Sequence, residues 1–320
     1  MSREVHLVRY PQGAVTAADF ALAEAELPDL GDNEVRVDVA WLSMDPVVRT
    51  RMTATPAMGP PMALGAAVPG RGVGLVVASR AAALPEGVAV YGELGWRDTV
   101  VLPAAALEPL AGDAPLHHHL NALGPTGLAA WFLVDGVAPQ RGETMLIAPG
   151  AGAVGSLVAQ LALGLGVRVV GTAVGARQTE YLRSLGVMPL DPGGDLPGGI
   201  DIFIDGIGGA FHDRAMQRLA PRGRVRLLGF LSDYASNGPP RYGSMGPVLM
   251  KRARVEGFLL ADHMDRAAQA RAALAAQLDS GALRPAETIW DGLDQAPHAF
   301  ASLFADAGPG KQLVRVRDTQ

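Results

Sequence analysis

The chain has 320 residues, 49% hydrophobic and 18% charged, with a formal net charge of −5 and no Lys/Arg block. That suits a folded protein with ample core and speaks against nucleic acid as a partner. There is no cysteine, which excludes disulfides, thiolate nucleophiles and cysteine-ligated zinc. No apolar run reaches the roughly 20 residues of a membrane span, and Met1–His6 has no signal-like apolar stretch, so no membrane partner and a cytoplasmic location are expected.

The first hundred residues read as β-rich. Glu34–Ala40 alternates polar and apolar with the period of a half-buried strand. Gly72–Ala78 and Gly87–Tyr91 are further strand candidates, and the Pro-, Gly- and Met-rich stretch Thr55–Pro69 reads as an irregular loop. Near residue 120 the pattern changes. A helix is expected over Asn121–Val134, and then strands and helices alternate. Strand Met145–Ala148 leads to helix Ala153–Leu165, strand Val167–Thr172 to helix Arg177–Leu185, and strand Ile200–Asp205 to a helix over Ala210–Leu219, before a strand at Arg224–Gly229. Such βα units predict an α/β fold, a doubly wound parallel sheet beside a β-rich domain. Asp262–Ser280 predicts a long helix stopped by Gly281, and the tail from Ile289 to Val316 reads as strand-like and bound for the N-terminal domain.

Met145–Ala148 runs straight into Gly150-x-Gly152-x-x-Gly155 and a small-residue helix. This is the order a dinucleotide-binding turn requires: one glycine for the turn, one for approach of the pyrophosphate, one for close helix packing, so that the helix N-terminus points its free N–H groups at the phosphates, with Ala151, Ala153 and Val154 in the cofactor-binding turn. The strand Val167–Thr172 ends 22 residues past Gly150, where an NAD site usually places an acid. Here the segment Thr172–Gln178 has no acid, and Arg177 is suited to a 2′-phosphate, so NADP(H) is preferred over NAD(H).

Several segments, in order along nearly the whole chain, resemble the zinc-free medium-chain dehydrogenase/reductases, in the branch of prostaglandin and leukotriene reductases, plant double-bond reductases and bacterial curcumin reductases. They are Trp41–Met52 (W-L-S-M-D-P-V-V-R-T-R-M), Leu123–Trp131 (L-G-P-T-G-L-A-A-W), Gly150–Ser156, Arg254–Phe258 (R-V-E-G-F) and Gly310–Val314. The resemblance implies a GroES-like substrate domain from residues 1–119 with 290–320, a Rossmann NADP(H) domain over 120–289, and the cofactor in the cleft. It implies NADPH-dependent reduction of the C=C bond of α,β-unsaturated ketones and aldehydes, and commonly a homodimer.

Carried over residue by residue, the resemblance gives a cofactor set of Asp45, Pro125, Gly127, Gly150–Gly155, Thr172, Gly175, Arg177 and Gln178. Gly206, Ile207 and Gly208 follow the fourth Rossmann strand, Gly229, Leu231 and Ser232 line the nicotinamide and ribose, and Phe258, Leu259 and Leu260 hold the carboxamide end. Tyr234 and Tyr242 are the candidates for stabilising the enolate, and Trp41, Met58, Met62 and Met250 for an apolar substrate pocket, the loop with Met58 and Met62 forming its lid. The chain departs from the branch at Val47, Met250, Gln178, Asp191-Pro192 and Gly308, where the pattern has tyrosine, tyrosine, lysine, tyrosine and asparagine. Asp45 and Arg49 serve equally well as a loop-tying pair. His117-His118-His119 reads as a domain-boundary turn and not as a metal site, because three consecutive histidines cannot face one ion from regular structure. Alternatives are a quinone reductase, a pathway-specific tailoring reductase, or a non-catalytic NADPH-binding sensor, since function lives in the site and not the fold.

Overall fold

Among the described residues, strands and short 3₁₀ turns build the first 120 positions, and strands alternate with helices after them. The computed structural model describes residues 1–320 except 57–58, 235–242, 244, 306 and 319–320. In chain order the strands are β1 (Ser2–Leu7), β2 (Phe20–Ala25), β3 (Glu34–Ser43), β4 (Arg71–Ser79), β5 (Ala89–Glu93), β6 (Thr99–Pro103) and β7 (Leu107–Pro109). Then come α1 (Pro125–Val137), β8 (Thr144–Ala148), α2 (Ala153–Gly164), β9 (Arg168–Thr172), α3 (Gly175–Ser184), β10 (Met188–Leu190), β11 (Ile200–Asp205), α4 (Gly209–Gln217) and β12 (Leu219–Leu227). The last are α5 (Gly246–Lys251), β13 (Arg254–Gly257), α6 (Ala267–Asp279), β14 (Glu287–Asp291), α7 (Ala296–Ser302) and β15 (Lys311–Arg315). The chain divides into Met1–Leu120 with Thr288–Ala307 and Gln312–Gln320, and Asn121–Glu287 with Gly308–Lys311.

The first unit holds a hairpin of β1 and β2 and a seven-stranded sheet in the order β14-β15-β3-β4-β5-β7, with β6 also on β3. β3 shows why the sequence alternates: Val35, Val37 and Val39 are buried while Glu34, Arg36 and Asp38 between them stay half-exposed. The tail does return to this sheet, β15 pairing antiparallel with β3 through Leu313 opposite Ser43. The core closes around Trp96, fully buried, with the rings of Phe20 and Phe300 each 5.4 Å from it.

The second unit is a six-stranded sheet in the order β10-β9-β8-β11-β12-β13, every pairing parallel. Numbered within the unit this is 3-2-1-4-5-6, the doubly wound Rossmann order. The winding reverses between β8 and β11, which opens a crevice at their carboxyl ends, where such sheets bind ligands. β8 and β11 are buried almost throughout; β8 reads as an apolar run, whereas in β11 the half-buried Asp201 interrupts the run and the buried Asp205 closes it.

Some elements differ from the sequence reading. The expected long helix at Asp262 begins instead with a 3₁₀ segment, Leu260–Arg266, and turns α-helical only at Ala267. The first helix of the second unit starts at Pro125, not Asn121, because a proline without an N–H fits the first turn. The tail is not all strand, since α7 interrupts it, again with proline in the opening turn. Truncating Trp96 to alanine would empty the centre of the first unit. We expect Trp96→Ala to cost about 3–5 kcal/mol, read as a lower urea midpoint of that unit's unfolding.

Candidate functional site

The three glycines after β8 are glycine for three different reasons. A Cβ on Gly150 would meet the Gly171 backbone and stand 2.7 Å from the Thr172 nitrogen. The turn is clamped there, because the Gly150 N–H donates to the Thr172 carbonyl (3.0 Å) and hydroxyl (3.2 Å), and Ala151 N–H to the same carbonyl (3.1 Å). A Cβ on Gly155 would collide with the Pro149 carbonyl oxygen, so only glycine lets α2 start this close to its strand. Gly152 differs from both. Its φ is −73°, and a Cβ there would meet nothing nearer than Pro149 Cγ at 3.5 Å, an ordinary contact. Packing within the protein does not require glycine at Gly152, and the space beside it is open.

That space faces the start of α2. The first intrahelical bond there runs from Ser156 N–H to the Gly152 carbonyl, so the N–H groups of Ala153, Val154 and Gly155 precede the helix ladder, and no side chain caps them. Uncapped N–H groups at the positive end of a helix suit a phosphate. Beyond β9, Thr172 is buried, and α3 opens at Gly175, whose φ of +72° favours glycine. Arg177 stands exposed on the first turn of α3, while the Gln178 side-chain oxygen accepts the Val174 N–H at 2.9 Å and so caps its own helix.

A second turn lies beside the first. Gly206 N–H donates to the Ala148 carbonyl at 2.6 Å. The turn Gly206–Gly209 is knitted to the segment after β12: Leu231 N–H bonds the Gly206 carbonyl (3.0 Å), and Ser232 bonds the Ile207 carbonyl through its N–H (2.9 Å) and its hydroxyl (2.8 Å). Tyr234 packs edge-on against Phe230, ring centroids 5.7 Å apart, and its hydroxyl comes close to Gly229, 3.0 Å from where a Cβ would stand. Burial pushes the Tyr234 pKa above the usual phenol value, against a hydrogen bond from the Phe230 backbone. At the end of β13, Phe258 is buried and its N–H donates to the Leu227 carbonyl (3.0 Å), with Leu259 exposed and Leu260 half-buried. At the start of α1, Pro125 is half-buried and Gly127 is buried, a Cβ on the latter colliding with the Ala122 carbonyl.

Other expected residues are scattered. In the first unit, Asp45 is half-buried and accepts the Ser43 hydroxyl at 2.9 Å. The buried Arg49 donates to the Gly13 carbonyl (3.1 Å) and the Met52 carbonyl (3.4 Å). Met62 is 3% exposed within the first unit's core. Trp41 packs with Val73, Leu120 and Leu313 under the His117 ring, 5.0 Å away. In the second unit Met250 lies exposed on α5. Met58 and Tyr242 lie outside the described residues.

Two neighbours of the site stand outside the cofactor set that the resemblance gives. Gly310 belongs to the second unit, where its N–H donates to the Ala151 carbonyl at 2.8 Å and it bridges to Gly152. Its signal was the Gly-Lys pair in the tail. His212, on α4, pairs with the buried Asp205 at 2.7 Å, and nothing in the local sequence marks it.

Residues 3–110 match the family described as the N-terminal domain of oxidoreductase, and residues 153–276 the one described as zinc-binding dehydrogenase. The chain is 32% identical to the NADPH-dependent curcumin reductase of Escherichia coli over 97% of its length and 95% of that protein's. It belongs to the medium-chain dehydrogenase/reductase superfamily, in its double-bond reductase branch. Within that branch it is also 31% identical to prostaglandin reductase 1 of Rattus norvegicus, over 97% of each chain. The solved CurA of Vibrio vulnificus in complex with NADPH superposes with a TM-score of 0.91 at 27% identity, over 99% of this chain and 100% of that one. The zinc in one family's description finds no thiolate ligand set here, since this double-bond reductase homologue has no cysteine.

The three glycines make distinct predictions for alanine. Gly150→Ala and Gly155→Ala should each lower the thermal midpoint by several degrees, about the effect of 1–3 kcal/mol of overpacking. Gly152→Ala should leave it within about 2 °C, because its Cβ meets only ordinary contacts. Thermal unfolding by circular dichroism distinguishes the two outcomes.

Proposed function

We propose that the protein is an NADPH-dependent reductase of the C=C bond of α,β-unsaturated ketones and aldehydes. The observation that carries this reading is Gly152, a glycine that packing does not require, beside an uncapped helix N-terminus. The second unit serves as cofactor domain and the first as substrate domain. Gly150–Gly155 and Thr172 hold the pyrophosphate side, Arg177 the 2′-phosphate, and the segments at Gly206–Gly208, Gly229–Ser232 and Phe258–Leu260 the nicotinamide half. Arg177 fits this role because it is exposed on the turn after the second strand of the sheet, where no carboxylate occurs between Thr172 and Gln178.

The dinucleotide, when bound, supplies the hydride that goes to the β-carbon. The protein's share is to hold the enone within about 3–3.5 Å of the donor, to place hydrogen-bond donors on the developing enolate oxygen, and to let a proton reach the α-carbon, which water can deliver. Tyr234 enters as a donor and not a base, because burial keeps its phenol protonated across the neutral range. Tyr242 is the second candidate donor, and Trp41, Met58 and Met250 are candidates for the apolar wall, whereas Met62 is packed in the core of the first unit.

Turnover of NADPH against a panel of enals, enones and quinones tests this reading. We expect the enones and enals to be reduced with NADPH well above NADH. Arg177→Ala should narrow that preference about tenfold or more through the KM for NADPH, with kcat little changed. Gly152→Ala should raise the same KM while the fold stays intact. Tyr234→Phe should lower kcat on enones if its hydroxyl donates to the enolate. Turnover of quinones alone would favour the quinone reductase reading, and tight NADPH binding without turnover of any acceptor would favour a sensor.

We also propose a cytoplasmic homodimer. β13 ends the sheet of the second unit, and exposed apolar side chains accompany it: Leu249 (77%), Met250 (72%) and Leu259 (63%). A strand edge flanked by apolar surface favours a second copy. Light scattering should give twice the chain mass, and Leu249→Asp combined with Leu259→Asp should shift it toward the monomer. A monomeric wild type at micromolar concentration would refute the dimer.

A further inference from the structure

Asp205 and His212 form a buried pair behind the second glycine turn. Asp205 closes β11 with its carboxylate fully enclosed, 0% exposed. Three donors reach it. Ile207 N–H (3.0 Å) and Gly208 N–H (2.9 Å) bond Oδ1, and His212 Nδ1 stands 2.7 Å from Oδ2. Asp205 is in register with Ala148, the last residue of β8. With Gly206 bonded to that same Ala148, the carboxylate sits at the joint between the two turns.

The turn it braces is not held by ordinary backbone preference. Gly208 and Gly209 both have positive φ, +72° and +56°, a region where glycine has many alternatives at little cost. The two N–H bonds to Oδ1 select one conformer from among them. They depend on the orientation of the carboxylate, and Oδ2 would be stranded in the interior without its own donor. His212 supplies that donor from α4. It is 6% exposed, and its ring packs against Phe203 at 6.1 Å, which limits its rotation. A histidine that donates a hydrogen bond to Oδ2 orients the carboxylate, as the outer partner of a hydrogen-bonded pair orients the inner one.

The geometry points to His212 as a positioning residue for the cofactor: by donating Nδ1–H to Asp205 it fixes the carboxylate, and through it the Ile207 and Gly208 amides and the glycine turn that meets the dinucleotide. The assignment rests on the reading of the second unit as an NADP(H) site. His212 acts through Asp205, so its loss should appear in cofactor affinity and not in the chemical step.

Asparagine places a side-chain N–H₂ near the position of Nδ1, whereas glutamine reaches toward Nε2 instead. In fluorescence titrations of the full chain, His212→Asn should keep the NADPH Kd within about threefold of wild type, and His212→Gln should weaken it about tenfold, the scale of a lost hydrogen bond to a buried charge. With saturating NADPH, kcat of the glutamine variant should stay within about twofold. Amide hydrogen exchange at Ile207 and Gly208 should quicken in the glutamine variant and not in the asparagine one. Should the glutamine variant fail to fold, His212→Ser, too short to reach Asp205, carries the same prediction. A glutamine variant that binds NADPH as wild type does, an asparagine variant as weak as the glutamine one, or a fall in kcat at unchanged Kd would each overturn the assignment. If wild type binds no NADPH, the cofactor reading falls and this one with it; normal wild-type binding with indifferent variants removes only the role of His212.

Discussion

The close approach of α2 to β8 is the constraint from which the rest of the second unit follows. It exists because Gly155 has no Cβ to strike the Pro149 carbonyl oxygen, and because Gly150 can lie against Gly171 and bond Thr172. Once the helix starts there, its first N–H groups open toward the carboxyl ends of β8 and β11, at the point where the sheet reverses its winding. The neighbouring turns then assemble on this one. Gly206 bonds back to Ala148, Leu231 and Ser232 bond back to the Gly206–Ile207 carbonyls, and Gly310 reaches Ala151 from the far end of the chain. These are mostly backbone bonds.

What was legible in the sequence was what local physics decides. β11 was legible to the residue, because Ile200, Ile202, Phe203 and Ile204 favour a strand and Gly199 and Gly206 bound it. The glycine turn was legible because Gly150 and Gly155 answer steric needs that no other residue meets, and Gly152 completes their spacing. The three-residue strand β10 and the mixed-polarity β13 went unread, being too short or too polar to show a period. α7 was hidden for a related reason: seven residues give barely two turns of pattern, and Pro297 looks like a breaker until it is seen in the opening turn.

The site was legible only where it is contiguous. Asp205 was visible as the end of a strand, but its partner His212 lies seven residues on, and a helix must form before the two can meet. Gly310 is further still, 158 residues from Gly152, and only the returning tail brings them together. Met62 shows the limit of hydropathy. An apolar residue in a loop reads alike whether it lines a pocket or fills a core, and burial in the first unit places its side chain in the core.

The division of the chain also orders its folding in time. The second unit is nearly continuous, residues 121–287, with only Gly308–Lys311 added from the tail. The first unit is interrupted, and β3, at the middle of its sheet, has β15 as a neighbour. During synthesis β4 and β6 can pair with β3 early, but Trp41–Ser43 must wait for residues 311–315, while the parallel sheet can already close. In the nascent chain this short stretch of strand edge stays open until residues 311–315 emerge.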